Sequence, residues 1–203
     1  EASEIAKLSD NDLAKLVYEG SLNPARHWVP FRKGDKKGRR WWSDDPLYIQ
    51  WSSENVRWIR ENASKRLPRS PNWTNPHMYF QPGVTWSAVG NHTLLKARRQ
   101  PICVFDADAM TLIAQEPVEP SSLLLSLNAS ITTYVWRTFL SNSAKFELGE
   151  MRQIPIVVEN NQELINLSSG KIQGKDLILL EQRNDSFVAD AMGVKQFGPF
   201  NEF

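Results

Sequence analysis

Residues 27–51 run His27-Trp28-Val29-Pro30-Phe31-Arg32-Lys33-Gly34-Asp35-Lys36-Lys37-Gly38-Arg39-Arg40-Trp41-Trp42-Ser43-Asp44-Asp45-Pro46-Leu47-Tyr48-Ile49-Gln50-Trp51. Aromatic and β-branched residues at both ends suit a pleated, half-buried surface. The Gly/Lys/Asp/Arg stretch from Lys33 to Arg40 suits a turn. Together they predict a β-hairpin with a basic tip. On its N-terminal side, Ile5, Leu8, Leu13, Leu16 and Val17 within residues 3–19 predict one or two short amphipathic helices, with Ser9 or Asp10 as the cap between them. Asn23-Pro24-Ala25-Arg26 reads as a turn. On its C-terminal side, Ser53 to Lys65 predicts a helix capped by Ser53, with Val56, Trp58, Ile59 and Ala63 as its apolar stripe.

Further along, Pro68, Pro71 and Pro76 are too many for a regular element, so residues 67–77 read as an ordered loop or linker. Met78–Val89, Leu94–Arg99, Pro101–Phe105 and Met110–Ala114 read as strands. Pro117 and Pro120 mark a boundary. Ser121 then opens the strongest helical pattern in the chain, with apolar residues at 123, 124, 127, 131, 134, 135 and 139. Ile154–Val158 reads as a strand, Glu163–Leu180 as helical with breaks at Gly170 and Gly174, and the last twenty residues as weakly patterned. The fold class is therefore α+β, a twisted mixed sheet with packed helices. The predicted divisions are an N-terminal helical segment (1–22), a central domain (23–158) and a C-terminal helix and tail (159–203).

Composition narrows the class further. The 203 residues are 41% hydrophobic and 23% charged, ordinary for a globular protein able to bury a core without disulfides. No apolar run is long enough for a membrane span and no signal peptide is visible, which predicts a cytoplasmic protein with no membrane partner. The lone Cys103 lies in the run Ile102-Cys103-Val104-Phe105 and reads as a buried, inert thiol. The net charge of +1 conceals a division: residues 26–99 hold 15 Lys/Arg against 5 Asp/Glu, and the remainder 9 against 18. A basic half on an acidic chain points to a polyanion, or to two halves that neutralise each other internally.

Five ordered phrases then carry a resemblance. They are His27-Trp28-Val29-Pro30-Phe31-Arg32-Lys33-Gly34 with the basic loop, Trp41-Trp42 and Tyr48-Ile49-Gln50-Trp51 after it; Tyr79-Phe80-Gln81-Pro82-Gly83-Val84-Thr85-Trp86-Ser87; Ala97-Arg98-Arg99-Gln100-Pro101 followed by Cys103-Val104-Phe105-Asp106; Leu123-Leu124-Leu125-Ser126-Leu127-Asn128-Ala129-Ser130; and Gln153-Ile154-Pro155-Ile156. In this order, over about residues 20–190, the chain resembles the target-recognition region of BREX-type and type IIG adenine-specific DNA methyltransferases, which is related to the recognition domains of type I restriction specificity subunits. The resemblance implies an α/β recognition domain that grips duplex DNA, with Gln162–Leu180 in the place of a spacer helix. It implies a place in a restriction-modification or phage-defence system. The family's catalytic Asn-Pro-Pro-Tyr-type motif does not occur in this sequence. The methyl donor S-adenosylmethionine is thus expected in a partner methyltransferase domain or subunit, with no cofactor and no catalytic residue here. The chain reads either as a fragment or as a separate specificity protein.

On that reading Arg32, Lys33, Lys36, Lys37, Arg39 and Arg40 contact phosphates, since flexible cations suit a backbone that demands no fixed geometry. A solvated loop tip is the plainer reading of the same residues. Thr85, Ser87, Arg98, Arg99 and Trp73 are the base-reading candidates. Thr85 and Ser87 offer hydroxyls, unless their strand simply enters the core. Arg98 and Arg99 point to opposite faces if their segment is a strand, so at most one reaches DNA. Trp73 stands in a proline-rich loop. His27, His77 and His92 lie far apart, without metal-ligand spacing. A second reading is a small magnesium-dependent nuclease using Asp106, Asp108 or Glu147. A carbohydrate-binding module built on exposed tryptophans leaves the charge division unexplained.

Overall fold

Short side-chain caps decide where the first elements begin. Ser9 Oγ accepts a hydrogen bond from Asp12 N, 3.2 Å away, and Ser52 Oγ accepts from Asn55 N at 3.3 Å. Both satisfy backbone donors that a helix start leaves open. In the computed structural model, which describes residues 2–23, 27–35, 38–42, 47–65, 70–89, 94–141, 143, 145–158, 161–169 and 173–194, the first half of the chain holds α1 (Ala2–Ile5), α2 (Asp10–Glu19), β1 (Trp28–Arg32), β2 (Leu47–Gln50), α3 (Ser53–Ala63) and a 3-10 turn (Pro76–Met78). Strands β3 (Gly83–Ser87), β4 (Arg98–Gln100), β5 (Val104–Phe105) and β6 (Ala109–Leu112) follow. After them come α4 (Pro120–Asn128), α5 (Ser130–Val135), a π-helical turn (Trp136–Leu140), α6 (Leu148–Met151), α7 (Gln162–Ser168) and α8 (Lys175–Ala191). The protein is α+β. None of its described helices is long and apolar enough to cross a membrane.

Contacts divide the chain into two compact units: Glu1–Gly34 with Asp45–Pro82 and Gln100–Ala109, and Asp35–Asp44 with Gly83–Arg99 and Met110–Phe203. The first carries a mixed sheet of order β2-β1-β5, in which β1 runs antiparallel to β2 and parallel to β5. The predicted hairpin is real, with Trp28 opposite Gln50 and Pro30 opposite Tyr48. Strand β5 joins β1 only at Phe31 and Arg32. At Pro30 the strand is therefore still an edge, where a residue without an N–H is tolerated. Trp51 holds this unit together. Its Nε1 donates to Leu16 O at 2.8 Å, and Trp73 stacks on its ring at 5.9 Å while Tyr79 and Phe80 meet it edge-on.

The second unit carries the sheet β4-β3-β6. A Cβ on Gly83 would sit 2.3 Å from Leu112 O, so β3 opens with the one residue that tolerates so close an approach. Trp41, Trp86, Trp136, Leu124 and Leu127 fill the core, and Trp86 Nε1 donates to Phe146 O at 2.8 Å.

Several expectations need correction. The cap of α3 is Ser52, whose backbone is extended (φ −71°, ψ 157°), and not Ser53. Trp58 is 52% exposed, leaving Val56 and Ile59 as the buried residues of α3. The long helix expected from Ser121 starts at Pro120, a favoured first helical position, and breaks at Ala129, where ψ is 140°. The break is held by α8: Asp185 accepts from Ser130 N and Ser130 Oγ, both at 2.7 Å, and so caps α5. Ile154–Val158 is not a strand. Val157 N donates to Ser126 Oγ at 3.0 Å, so a side chain takes the place of a ladder partner. Likewise Leu94–Ala97 is not a strand, because Leu95 N bonds Thr133 Oγ1 and Ala97 N bonds Asn128 Oδ1. The C-terminal helical stretch breaks before α8, where Gly174 has φ 60°, but α8 continues to Ala191. Gly170 and the Pro24–Arg26 part of the first turn lie outside the described residues.

Cys103 is fully buried, and burial pushes its thiol from 9.0 up to about 12, opposed by the charge of Arg32. Burial raises the Tyr79 hydroxyl from 10.0 to about 12. In both cases the unfolded chain releases its proton first, so stability falls as pH rises above the unfolded value and continues to fall toward the folded one. Urea unfolding between pH 8 and 11 should show this loss beginning near pH 9 in the parent. In Cys103→Ala the onset should move to near pH 10. An unmoved onset would refute the assignment to Cys103.

Candidate nucleic-acid interface

The basic loop starts at the end of β1. Arg32 is half-buried, and its carbonyl accepts from Asp106 N at 3.1 Å. Lys33 is exposed. Gly34 follows because a Cβ there would meet Asp108 O at 2.8 Å. The turn below is a capped one: Asp106 Oδ1 accepts from Asp108 N at 3.0 Å and from Ala109 N at 3.1 Å. Burial and Asp108 raise the Asp106 carboxyl above its ordinary range, while the two N–H groups and Lys33 oppose this. Among the described residues no three His, Cys, Asp or Glu side chains gather as a metal-holding group. Glu147 caps the start of α6 by position, without a side-chain hydrogen bond to it.

In the second unit the loop winds about Asp35. This carboxylate accepts from Arg39 Nε at 2.7 Å and Arg39 N at 3.4 Å, while Gly38 N bonds the Asp35 carbonyl at 2.9 Å. Asp35 N donates to Ser87 Oγ at 2.5 Å, and that hydroxyl donates to Asp35 O at 3.1 Å. Ser87 thereby fixes the loop to the end of β3. Lys36 and Lys37 lie outside the described residues.

Arg40 turns inward. Its Nη1 meets Glu181 at 2.7 Å, its Nε reaches Asn128 Oδ1 at 3.4 Å, and its Nη2 donates to Asn128 O. Burial lowers its pKa, opposed by Glu181 and Asp185. A guanidinium in this position stays charged and is neutralised by α8. Thr85 is fully buried and Arg98 is 1% exposed. Arg99, on the opposite face as alternation predicts, bonds Ser168 O at 3.3 Å and Ser168 Oγ at 3.2 Å. Trp73 is half-buried between Trp51, Tyr79 and Tyr18.

The named residues therefore divide. Lys33 is exposed, and Arg32, Arg39, Arg99, Ser87 and Trp73 keep part of their surface open, whereas Thr85, Arg98 and Arg40 serve the interior of the second unit. Sequence reasoning did not assign Lys96, half-buried, or Lys145 and Arg137, both exposed, to phosphate contacts. Lys96 has its pKa lowered by burial and by Arg40. The alternation Leu95 in, Lys96 out, Ala97 in was available as a signal for the first. Nothing in local pattern marks the other two.

Arg40→Ala should remove three hydrogen bonds and leave Asn128 and Glu181 short of partners, lowering unfolding stability by about 1.5–3 kcal/mol in urea titrations. Arg40→Lys should recover little of it, because one ammonium cannot span the three acceptors. A neutral Arg40→Ala would mean that the side chain is not internal.

No family model matches the chain. It is similar to the adenine-specific methyltransferase BrxX of Escherichia coli O9:H4 (strain HS), with 25% identity over 139 residues. The aligned region is 67% of this chain and 11% of that protein, so the chain spans about a tenth of the length of the relative it matches.

Proposed function

We propose that this chain is a sequence-reading module for duplex DNA that serves an adenine-N6 methyltransferase of a restriction-modification or phage-defence system. The observation that carries the reading is the distant similarity to adenine-specific methyltransferase BrxX, in a chain whose own sequence holds no Asn-Pro-Pro-Tyr motif. The loop that leaves β1 supports it, because Lys33, Lys36 and Lys37 stand together on a stretch with only one acid, Asp35. That acid is occupied by Arg39.

On this reading the lysines of the loop hold phosphates and set the register. Ser87 at the end of β3 and Arg99 within β4, both partly exposed, are the side chains nearest to a base-reading role. Arg98 and Thr85 act by shaping the strands that carry them. The methyl donor and the flipped adenine belong to the partner domain or subunit, since extruding a base and transferring a methyl group need a pocket separate from the reading surface.

The test is selection from a pool of random-sequence duplexes at moderate salt, with and without magnesium, followed by sequencing. An enriched asymmetric motif on intact DNA is expected. The combined replacement Lys33→Ala, Lys36→Ala, Lys37→Ala should weaken binding to all sequences. It should also reduce the slope of log Kd against log salt by roughly one for each lysine that meets a phosphate. Calorimetry with S-adenosylmethionine should show no binding. DNA cut in the magnesium sample, and spared by Asp106→Asn, would replace this reading with a nuclease.

A further inference from the structure

Two aromatic residues of the β1–β2 hairpin take no part in its core. Trp28 and Tyr48 are each 59% exposed. Trp28 stands opposite Gln50 and Pro30 opposite Tyr48, so Trp28, Pro30 and Tyr48 share one face of the sheet, while buried Val29 points to the other. Leu8, before α2, and Leu22, after it, are exposed as well. These side chains line a groove of about 1060 Å³ between β1 and residues 3–23, all within the first unit. Val29 also lines it, so the groove reaches the edge of β1 and does not stop at one face.

That edge is open. In an antiparallel pair the N–H and C=O of one residue point to the same side, and successive residues alternate. Trp51 N donates to His27 O, so His27, Val29 and Phe31 turn their backbone groups toward β2. Trp28, Pro30 and Arg32 turn theirs to the opposite edge. There Arg32 O accepts from Asp106 N at 3.1 Å, and β5 joins β1 only at Phe31 and Arg32. No described strand pairs with that edge at Trp28 or Pro30. The N–H and C=O of Trp28 and the C=O of Pro30 therefore stand where a further strand would dock. The groove is also acidic on balance: Glu4 and Asp12 line it against Lys15, which lies 4.0 Å from Asp12.

From this placement we infer that the open edge of β1 and its groove receive an extended peptide segment of a partner protein. The segment's backbone adds a strand at Trp28 and Pro30. Its apolar side chains pack at alternate positions among Leu8, Leu22, Trp28 and Tyr48, and a Lys or Arg answers Glu4 and Asp12. Main-chain donors and acceptors along a strand edge select a polypeptide over a small molecule, and the acidic lining disfavours a nucleic acid. Who supplies the segment rests on the DNA-binding reading, which calls for a methyltransferase domain or subunit; the chemistry of the groove does not.

Displayed random peptides of about ten residues, ample for one strand, are selected on the 203-residue chain. The enriched sequences are then synthesised and titrated by calorimetry. Apolar residues at alternate positions and a Lys or Arg are expected in them. Leu22→Asp and Tyr48→Ser, both at exposed positions, should keep the thermal midpoint and weaken peptide binding about tenfold or more. N-methylation of alternate peptide amides separates strand addition from plain apolar contact. Methyl groups on the amides that face β1 should abolish binding, and on the other set should change it by no more than about threefold. No enrichment, equal binding by the parent and both variants, or indifference to which amides are methylated would overturn the inference. So would a dimer of the chain that Leu22→Asp dissolves, or loss of duplex binding in Leu22→Asp, since either gives the groove another occupant. Peptide binding by a chain that binds no duplex would support the groove and remove the DNA reading.

Discussion

The second unit depends on one buried amide. Asn128 ends α4 with 1% of its surface exposed. Its Nδ2 donates to Ala97 O and its Oδ1 accepts from Ala97 N, each at 2.9 Å. It thereby takes the place of a strand on one side of Ala97, whose carbonyl also accepts from Trp41 N at 2.8 Å. The same Oδ1 and the Asn128 carbonyl receive Arg40, which continues to Glu181 on α8. One side chain therefore joins the basic loop, the approach to β4, the end of α4 and the C-terminal helix. An apolar residue here would leave Ala97 N without its acceptor, at a cost of about 1–3 kcal/mol; Ala97 O would keep Trp41 N, and Arg40 would keep Glu181 and the carbonyl of residue 128.

Asn128 is the centre of a wider habit. The stretch Ser122–Thr133 is buried throughout, although its polar residues outnumber those of an ordinary core helix. Ser126 bonds Val157, Thr133 bonds Leu95, and Thr132 Oγ1 returns to Ser126 O across the break. Asn184 of α8 donates to Leu125 O at 3.0 Å. Buried loops carry backbone groups that must find partners, and here short hydroxyl and amide side chains from two helices supply them. That arrangement lets the half-buried segments 94–97 and 154–158 pack on the helices without belonging to a sheet.

This explains what was legible in the sequence and what was not. The hairpin β1–β2, the Ser9 cap, the buried Cys103 and the break before α8 all rest on local rules: alternation, capping, apolar runs, a glycine with positive φ. They could be read directly. The break at Ala129 could not, because Asp185, which caps the following helix, is distant in sequence. Ile154–Val158 and Leu94–Ala97 have strand composition, and only the partners decide that side chains replace a ladder. The stripe from Leu123 to Phe139 holds the right period almost to its end. It fails where a π turn re-aims a single phenylalanine. For the candidate site, the alternation rule separated Arg98 from Arg99 in advance. The inward course of Arg40 depends on Glu181, 141 residues away.

The charge division of the sequence, +10 over residues 26–99 against −9 elsewhere, is not all available to an outside partner. Part of the basic excess is internal: Arg40 spends its charge on Glu181 of the acidic half, and Asp35 takes Arg39 within the loop. Counterion release follows the number of phosphates neutralised, and the number of cations in the sequence overstates it. On the proposed reading the loop's six Lys/Arg side chains count for fewer than six, since Arg39 and Arg40 already pair with Asp35 and Glu181. On that reading a DNA surface draws its affinity from few charges. Its selectivity then comes from geometry, from what β3 and β4 present and from the sequence-dependent shape of the duplex.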